Sequence, residues 1–349
     1  MEARTLAIII AKSEACCKVL ALTATRQLVY RSLLVHARNI MPSLPISFGK
    51  RLGESIKAGC RFLCQPLLPI LPDAVVNRLP FLGQVRVDGP DNLKLRMHSY
   101  GPHGKDRIAI KLARRGLWGY EGETTRLFLA LVKEARNVID IGANTGLFAL
   151  LAGLVNPSCR VWAFEPVSFI HEMLQNNIRL NEATNINAIA MAVSDFVGET
   201  TFYITRTNVG IPTDSSACQG FRDQVDEHRV PTTTLDRFAQ DTACAPIDVV
   251  KIDAESAEGK VVRGSLITIQ QHRPFLICEV LDQVDHTFLQ ETFPPLDYRF
   301  YHITNEGLLR RDRLQGSLHV AQRNHLFAPA EKASLLESRC RDAEITIRE

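Results

Sequence analysis

No stretch of this 349-residue chain stays apolar for the roughly 20 residues that a membrane-spanning helix needs. The most apolar N-terminal run, Leu6 to Ile10, is cut short by Lys12, Glu14 and Lys18. Glu2 and Arg4 precede a core too short for a secretory signal, so no span and no signal peptide is expected. Charge of one sign is also lacking. Lys and Arg number 41 against 38 Asp and Glu, a net charge of +3 that gives no argument for nucleic acid. No C-x-x-C pair occurs among the nine cysteines (Cys16, Cys17, Cys60, Cys64, Cys159, Cys218, Cys244, Cys278 and Cys340). An odd count without paired spacing speaks against a disulfide framework or a metal centre. It fits reduced, buried thiols in a cytoplasmic protein. Internal repeats and low-complexity tracts are absent. The composition, 46% hydrophobic and 23% charged, is that of an ordinary globular protein.

What is present centres on residues 138–146, Val-Ile-Asp-Ile-Gly-Ala-Asn-Thr-Gly. An apolar run from Asn137 to Ile141 carries one acid, Asp140. Gly142 and Gly146 follow, then an apolar helical pattern from Leu147 to Val155. Strand, glycine turn and helix make a nucleotide pocket in an open α/β sheet. A second strand-like run, Arg160 to Phe164, ends in Glu165, where an acid can accept hydrogen bonds from a ribose diol. The turn has neither the G-x-G-x-x-G of a dinucleotide site nor the lysine of a G-x-x-x-x-G-K-[ST] loop. A phosphate-bearing ligand is therefore disfavoured. S-adenosylmethionine carries no phosphate, and an acid such as Asp140 suits its cationic end, while glycine backbone allows close approach.

Along the chain, Pro66, Pro69, Pro72 and Pro80 mark a linker or boundary. Residues 1–83 are expected to form a helical extension, basic and apolar by turns, open to peripheral contact with a membrane surface. Residues 84–349 are expected to form one further domain that carries the nucleotide-type pocket. Alternation over 84–112 reads as strand, and 122–135 as helix. Core strands are expected at 137–141, 160–164, 187–193, 248–252 and 275–280. Helices are expected at 168–180, 235–239 and 257–271. Residues 199–205 read as one arm of a hairpin, 206–230 as a polar loop, and 298–303 with 317–328 as a closing antiparallel pair. Strand alternating with helix gives a doubly wound, mostly parallel sheet.

The run VIDIGANTG, with AFEP at 163–166, AVSD at 192–195, TTLD at 233–236, DVVKIDAESAE at 248–258 and HRPFLICEV at 272–280, resembles the FkbM family of S-adenosylmethionine-dependent methyltransferases. The resemblance spans about 115–330. It implies an α/β class I methyltransferase fold, Rossmann-like, with a mostly parallel seven-stranded sheet and helices on both faces. It also implies S-adenosylmethionine as cofactor and O-methylation of a hydroxyl on a small molecule or sugar. By the same resemblance Asp140, Gly142, Ala143, Asn144 and Gly146 would line the methionine and adenosine end. Glu165 would take the ribose hydroxyls, and Ser194 with Asp195 would lie near the adenine edge. The family's glycine in D-V-E-G-x-E is Ser256 here, which costs about 1 kcal/mol if the position needs a left-handed backbone.

A hydroxyl is a weak nucleophile, so a base within reach is expected. Asp253 and Glu255 are the candidates, because the carboxyl ends of parallel strands face the ligand crevice. Glu279 and His286 are weaker ones. Two other functions compete. A cofactor-binding protein with degenerate chemistry follows from Ser256, and an NAD-dependent oxidoreductase is opposed by the missing glycine pattern. The acceptor and the oligomeric state are not written in the sequence.

Overall fold

A computed structural model describes residues 83–349, apart from 102–103, 206–210, 212–214, 217–224, 282–285, 315 and 317–322. The expected N-terminal extension and the proline-rich boundary lie outside the described residues, as do Cys16, Cys17, Cys60, Cys64, Cys218 and the side chain of His286. Cys159, Cys244, Cys278 and Cys340 are buried free thiols. Among the described residues no helix is long and apolar enough to cross a membrane.

The domain opens with an antiparallel pair, β1 (Gln84–Asp88) and β2 (Lys94–His98). The strand expectation over 84–112 fails at its end, where Arg107–Arg115 is a helix, α1. Ile108, Ile110 and Leu112 do alternate, but the Asp106 carboxylate accepts hydrogen bonds from the amides of Ile108 and Ala109 at 2.8 and 3.1 Å. That N-cap satisfies two amides that a strand would pair elsewhere, and it selects the helix. Helix α2 (Gly122–Val132) follows.

The main sheet then forms with its strands where expected, except that the run expected at 187–193 divides: residues 186–189 join the main sheet and residues 192–193 pair in a side sheet. Strand β3 (Asn137–Ile141) leads through the glycine turn to α3 (Leu147–Val155). Strand β4 (Arg160–Phe164) leads to α4 (Ser168–Leu180), and β5 (Ile186–Ile189) completes that half. A side sheet intervenes: β6 (Ala192–Val193), β7 (Gly198–Thr205) and β8 (Val225–Thr233). Strand β8 replaces the end of the polar loop expected over 206–230, and it runs antiparallel to β7 from Val225 to Thr232. Its alternation is hidden because most of its residues are exposed. Helix α5 (Leu235–Thr242), β9 (Val249–Ile252), α6 (Glu258–Arg263), α7 (Leu266–His272), β10 (Phe275–Glu279) and α8 (His286–Thr292) come next. The single helix expected at 257–271 is broken at Gly264. A Cβ there would lie 2.0 Å from the Ser194 carbonyl oxygen, so this close approach requires glycine. The chain closes with β11 (Tyr298–Thr304), β12 (Gly307–Arg311), β13 (Asn324–Pro329), α9 (Ala333–Asp342) and β14 (Ile347–Arg348).

Among the described residues the main sheet has nine strands, ordered β14-β12-β11-β13-β10-β9-β3-β4-β5. The expectation of seven misses the edge pair β12 and β14. Strands β10, β9, β3, β4 and β5 are parallel, so their carboxyl ends share one edge. Apolar residues pack on both faces. Val138 and Val249 lie in a cluster with α1, α2 and α3, and Ile139 and Val250 lie in another with α5, α6 and α7. Central strands buried on both faces read as continuous apolar runs, as β3 and β9 do.

Candidate functional site

The parallel register brings the sequence motifs to one edge. Asp140 of β3 pairs with Lys251 of β9 and with Ala163 of β4. Beyond these positions the chain turns three times: at Gly142–Gly146, at Glu165–Val167 and at Asp253–Ala257. A pocket lies among the three turns. Its walls include Ile141, Gly142, Asn144, Phe164, Glu165, Met191, Val193, Phe202, Asp253 and Glu255, with Tyr120 entering from the loop before α2.

The first turn is fixed by its neighbours. The Gly142 and Ala143 amides donate to the Phe164 carbonyl at 3.0 and 2.9 Å. Gly142 has φ +79°, and a Cβ on it would lie 1.9 Å from the Asp253 carbonyl oxygen. Glycine is therefore demanded twice at this position, by conformation and by space. Asn144 also adopts a left-handed backbone, φ 49°. Its amide donates to Glu165 Oε2 at 3.0 Å, while the Val167 amide donates to Oε1 at 2.9 Å. Glu165 thus ties the tip of β4 to the glycine turn. Burial pushes its carboxyl up to about 7, against those two hydrogen bonds.

The opposite wall carries Asp253, Ala254 and Glu255. The Glu258 carboxylate, fully buried, accepts through Oε1 from the amides of Ala254 at 3.1 Å and Ser256 at 3.3 Å. Glu255 and Ser256 both have positive φ, 47° and 79°. The left-handed geometry that glycine would favour is present although the residue is serine.

Behind this wall lies a charged cluster, of which the sequence singles out Asp253 and Glu279 but gives no role to Lys251, Glu121, Arg323 or Asn324. Lys251 is 2% exposed, and its Nζ donates to Asp253 Oδ2 at 2.8 Å. Arg323 Nε lies 2.6 Å from Glu279 Oε1. Asn324, the register partner of Glu279, donates through Nδ2 to Glu121 Oε2 at 3.0 Å and to Thr124 Oγ1 at 2.9 Å. Burial raises the carboxyls of Glu279 and Glu121, and the Asp253 charge raises both further. Burial also pushes Asp253 up, but Lys251 and Arg323 more than reverse it and leave the carboxyl below its ordinary range. One carboxylate oxygen each of Asp253, Glu255 and Glu279 lies within 4.8 Å of the others. That spacing would admit a cation, yet Lys251 and Arg323 already supply the positive charge.

The expected site residues divide accordingly. Gly142, Asn144, Glu165, Asp253 and Glu255 line the pocket. Asp140 is 1% exposed and stands behind the wall. Neither of its carboxylate oxygens meets a hydrogen-bond partner, and burial pushes it up to about 6. Ala143 and Gly146 shape the turn without lining the pocket. Ser194 and Asp195 do not reach the wall. The Ser194 hydroxyl donates to Asp195 Oδ1 at 3.2 Å, and the Ser194 carbonyl is the oxygen that approaches Gly264. Their neighbours Met191, Ala192 and Val193 line the pocket instead. Glu279 is in the cluster behind the wall. Tyr120 and Phe202 carried no motif signal, whereas Phe164 stood inside the AFEP run.

Residues 140–300 match the family model of the methyltransferase FkbM domain. The methyltransferase sdnD of Sordaria araneosa is 26% identical, aligned over 36% of this chain and 59% of its own. AMB antimetabolite synthetase AmbE of Pseudomonas aeruginosa is 29% identical, over 42% of this chain and 8% of its own. The alignments thus span 8% and 59% of those two curated relatives. The crystal structure of methyltransferase FkbM from Methylobacillus flagellatus aligns at 15% identity and a TM-score of 0.37, covering 64% of this chain and 56% of that one. Six motifs in order, a glycine turn flanked by acid-tipped parallel strands and the family match converge: residues 140–300 are similar to the methyltransferase FkbM domain and are built on an α/β, mostly parallel sheet.

Proposed function

We propose that this protein transfers a methyl group from S-adenosylmethionine to a hydroxyl of a small molecule or sugar. The observation that carries the reading is the charge pattern of the pocket wall. Glu165, Asp253 and Glu255 are acids, and no described lining residue is Lys, Arg or His. Such a wall repels phosphates and suits a cation. Phe164, Met191, Val193 and Phe202 give the apolar surface an adenine needs, and Glu165 stands where a ribose diol can donate to it. These residues fit the cofactor. Bound S-adenosylmethionine supplies an electrophilic methyl group on a sulfonium.

This chain's residues then have three tasks. Glu165 and the Asn144 turn orient the nucleoside end. The 253–257 turn holds the acceptor oxygen close to the methyl group, and positioning of this kind contributes roughly 7–11 kcal/mol. Glu255 would accept the hydroxyl proton of the acceptor. Asp253, drawn below the ordinary carboxylate range by Lys251, is the weaker base and serves as a fixed negative charge.

The test is incubation with isotopically labelled S-adenosylmethionine and a pool of hydroxylated metabolites and sugars, with products read by mass spectrometry. Label in a hydroxyl supports the reading. Calorimetry that finds no S-adenosylmethionine binding, together with enhanced NADH fluorescence on mixing, overturns it. Glu165→Gln should weaken the cofactor by about 1.5–3 kcal/mol, or roughly 10–150-fold. Glu255→Gln should lower turnover with little change in cofactor affinity.

A further inference from the structure

We infer that Lys251 is a positioning residue that holds the Asp253 carboxylate as an anion at the pocket mouth, so that the sulfonium meets a negative charge already in place. The inference rests on the methyltransferase reading above and adds to it a role for a side chain that does not line the pocket.

The placement of Lys251 is unusual for a strand. It is the one charged residue of β9, in the sequence Val-Val-Lys-Ile, at the centre of the sheet. Its side chain points to the face that carries α3, where Nζ lies 4.4 Å from the centre of the Phe148 ring. An aromatic face stabilises an ammonium that has left water. Asp140 is its register partner on one side, and the Asp253 carboxylate is 2.8 Å from Nζ at the strand's end. One buried cation thereby serves two acids, one before the glycine turn and one on the opposite wall. A buried ammonium without such partners would lose its proton. Here Asp253, Glu121 and Asp140 outweigh burial and keep it charged.

Asp253 is faced from several elements. Lys251 stands on its own strand, Glu255 and Glu258 follow it, and Asp140 lies on β3. Glu279 ends β10, Arg323 precedes β13, and Tyr120 with Glu121 precede α2. Lys251 and Arg323 are the cations of this group, and neutralising Lys251 removes the nearer of the two that hold Asp253 ionised. Asp253 is the partner that Lys251 touches. A protonated Asp253 would have to release its proton when the sulfonium arrives.

Calorimetry in buffers of different ionisation enthalpy counts that proton. S-adenosylmethionine and S-adenosylhomocysteine share ribose, adenine and amino acid, and differ in the sulfonium charge. The difference between their proton counts therefore cancels any proton moved at Glu165. Lys251→Met should add up to about one released proton to this difference, and Lys251→Arg should add none. The added proton should vanish in Lys251→Met/Asp253→Asn. A purely structural lysine would change affinity or stability without moving the difference. An unchanged difference in Lys251→Met overturns the inference, as does an added proton that survives in the double variant. If Lys251→Met fails to fold, Asp253→Asn decides. It should weaken S-adenosylmethionine relative to S-adenosylhomocysteine about fivefold or more, and an unchanged ratio overturns the inference. Failure of the wild-type protein to bind either compound refutes the methyltransferase reading itself.

Discussion

Glu258 offers a direct measure of what the charged wall costs. Its Oε1 accepts from the Ala254 and Ser256 amides, and its Oε2 is buried without a hydrogen-bond partner. Glutamine has the same shape, and its amide oxygen can accept the same two bonds. Glu258→Gln therefore removes the titration, and the amide nitrogen it sets at the partnerless Oε2 position adds a cost that does not vary with pH. Burial pushes the Glu258 carboxyl from 4.5 up to about 7. Between those values the folded protein binds more protons than the unfolded chain, so this group's contribution to stability falls as pH rises. The contribution is complete below about 4.5 and lost through about 7. At about 1.4 kcal/mol for each pH unit, the gap between 4.5 and about 7 sets a ceiling of about 3 kcal/mol. Urea unfolding followed by circular dichroism at pH 5, 6, 7 and 8 would test this on both proteins. Glu258→Gln should gain on wild type by about 1–3 kcal/mol across that range and level off above it. Parallel stability curves would refute the argument, because the carboxyl would then ionise alike in the folded and unfolded states.

Other positions give sharper outcomes. Gly142→Ala places a Cβ 1.9 Å from the Asp253 carbonyl at φ +79°. It should destabilise by more than about 2 kcal/mol and abolish S-adenosylmethionine binding, read by thermal melting and calorimetry. Ser256→Gly removes a side chain from φ 79° and should raise stability by about 1 kcal/mol, an effect measurable by urea unfolding. A loss of stability there would show that the serine side chain contributes more than the backbone strain removes. Asp106→Ala removes the cap of α1 and should cost about 0.5–2 kcal/mol in the same assay.

The parts of the fold written locally in the sequence are those with the strongest periodic signal. Strands β3 and β4 and helix α4 begin and end where the apolar pattern does. The glycine turn was legible because Gly142 meets a demand of both conformation and space. The misses have physical causes. Alternation in Ile108, Ile110 and Leu112 is ambiguous between strand and helix until the capping Asp106 decides it. Strand β8 is mostly exposed, so it carries no apolar alternation to read. The break at Gly264 answers a backbone approach from Ser194, 70 residues earlier in the chain, and no local pattern reports that. The same contact explains why Ser194 leaves the pocket wall. Asp253 and Glu255 stood in a recognisable run, but Glu121, Arg323 and Asn324 came from elements with no motif. Only the register of β10 against β13 and the seating of α2 bring them to that edge.

The charged edge also explains why chemistry gathers on a sheet that is otherwise so apolar. Asp140, Lys251 and Glu279 each occupy the last or next-to-last position of a central strand, on the face that carries α2 and α3. One turn earlier on those strands, Val138, Val249, Phe275 and Ile277 fill the hydrophobic core. A carboxylate placed there would meet no partner, whereas at the strand end it reaches backbone amides, Lys251 or Arg323. Buried acids survive only where such partners exist. The two cations do not match all the acids, and burial holds Glu279 and Glu121 toward their protonated forms. Asp253 remains ionised because the nearest cation is its own strand's lysine. The surplus of carboxylates thus leaves Asp253 as a fixed anion on the pocket wall, with Glu279 and Glu121 behind it drawn toward their protonated forms. This arrangement attracts a cationic ligand without the desolvation cost of several bare charges. It also predicts that neutralising Asp253 will cost more affinity for a sulfonium than neutralising Glu279.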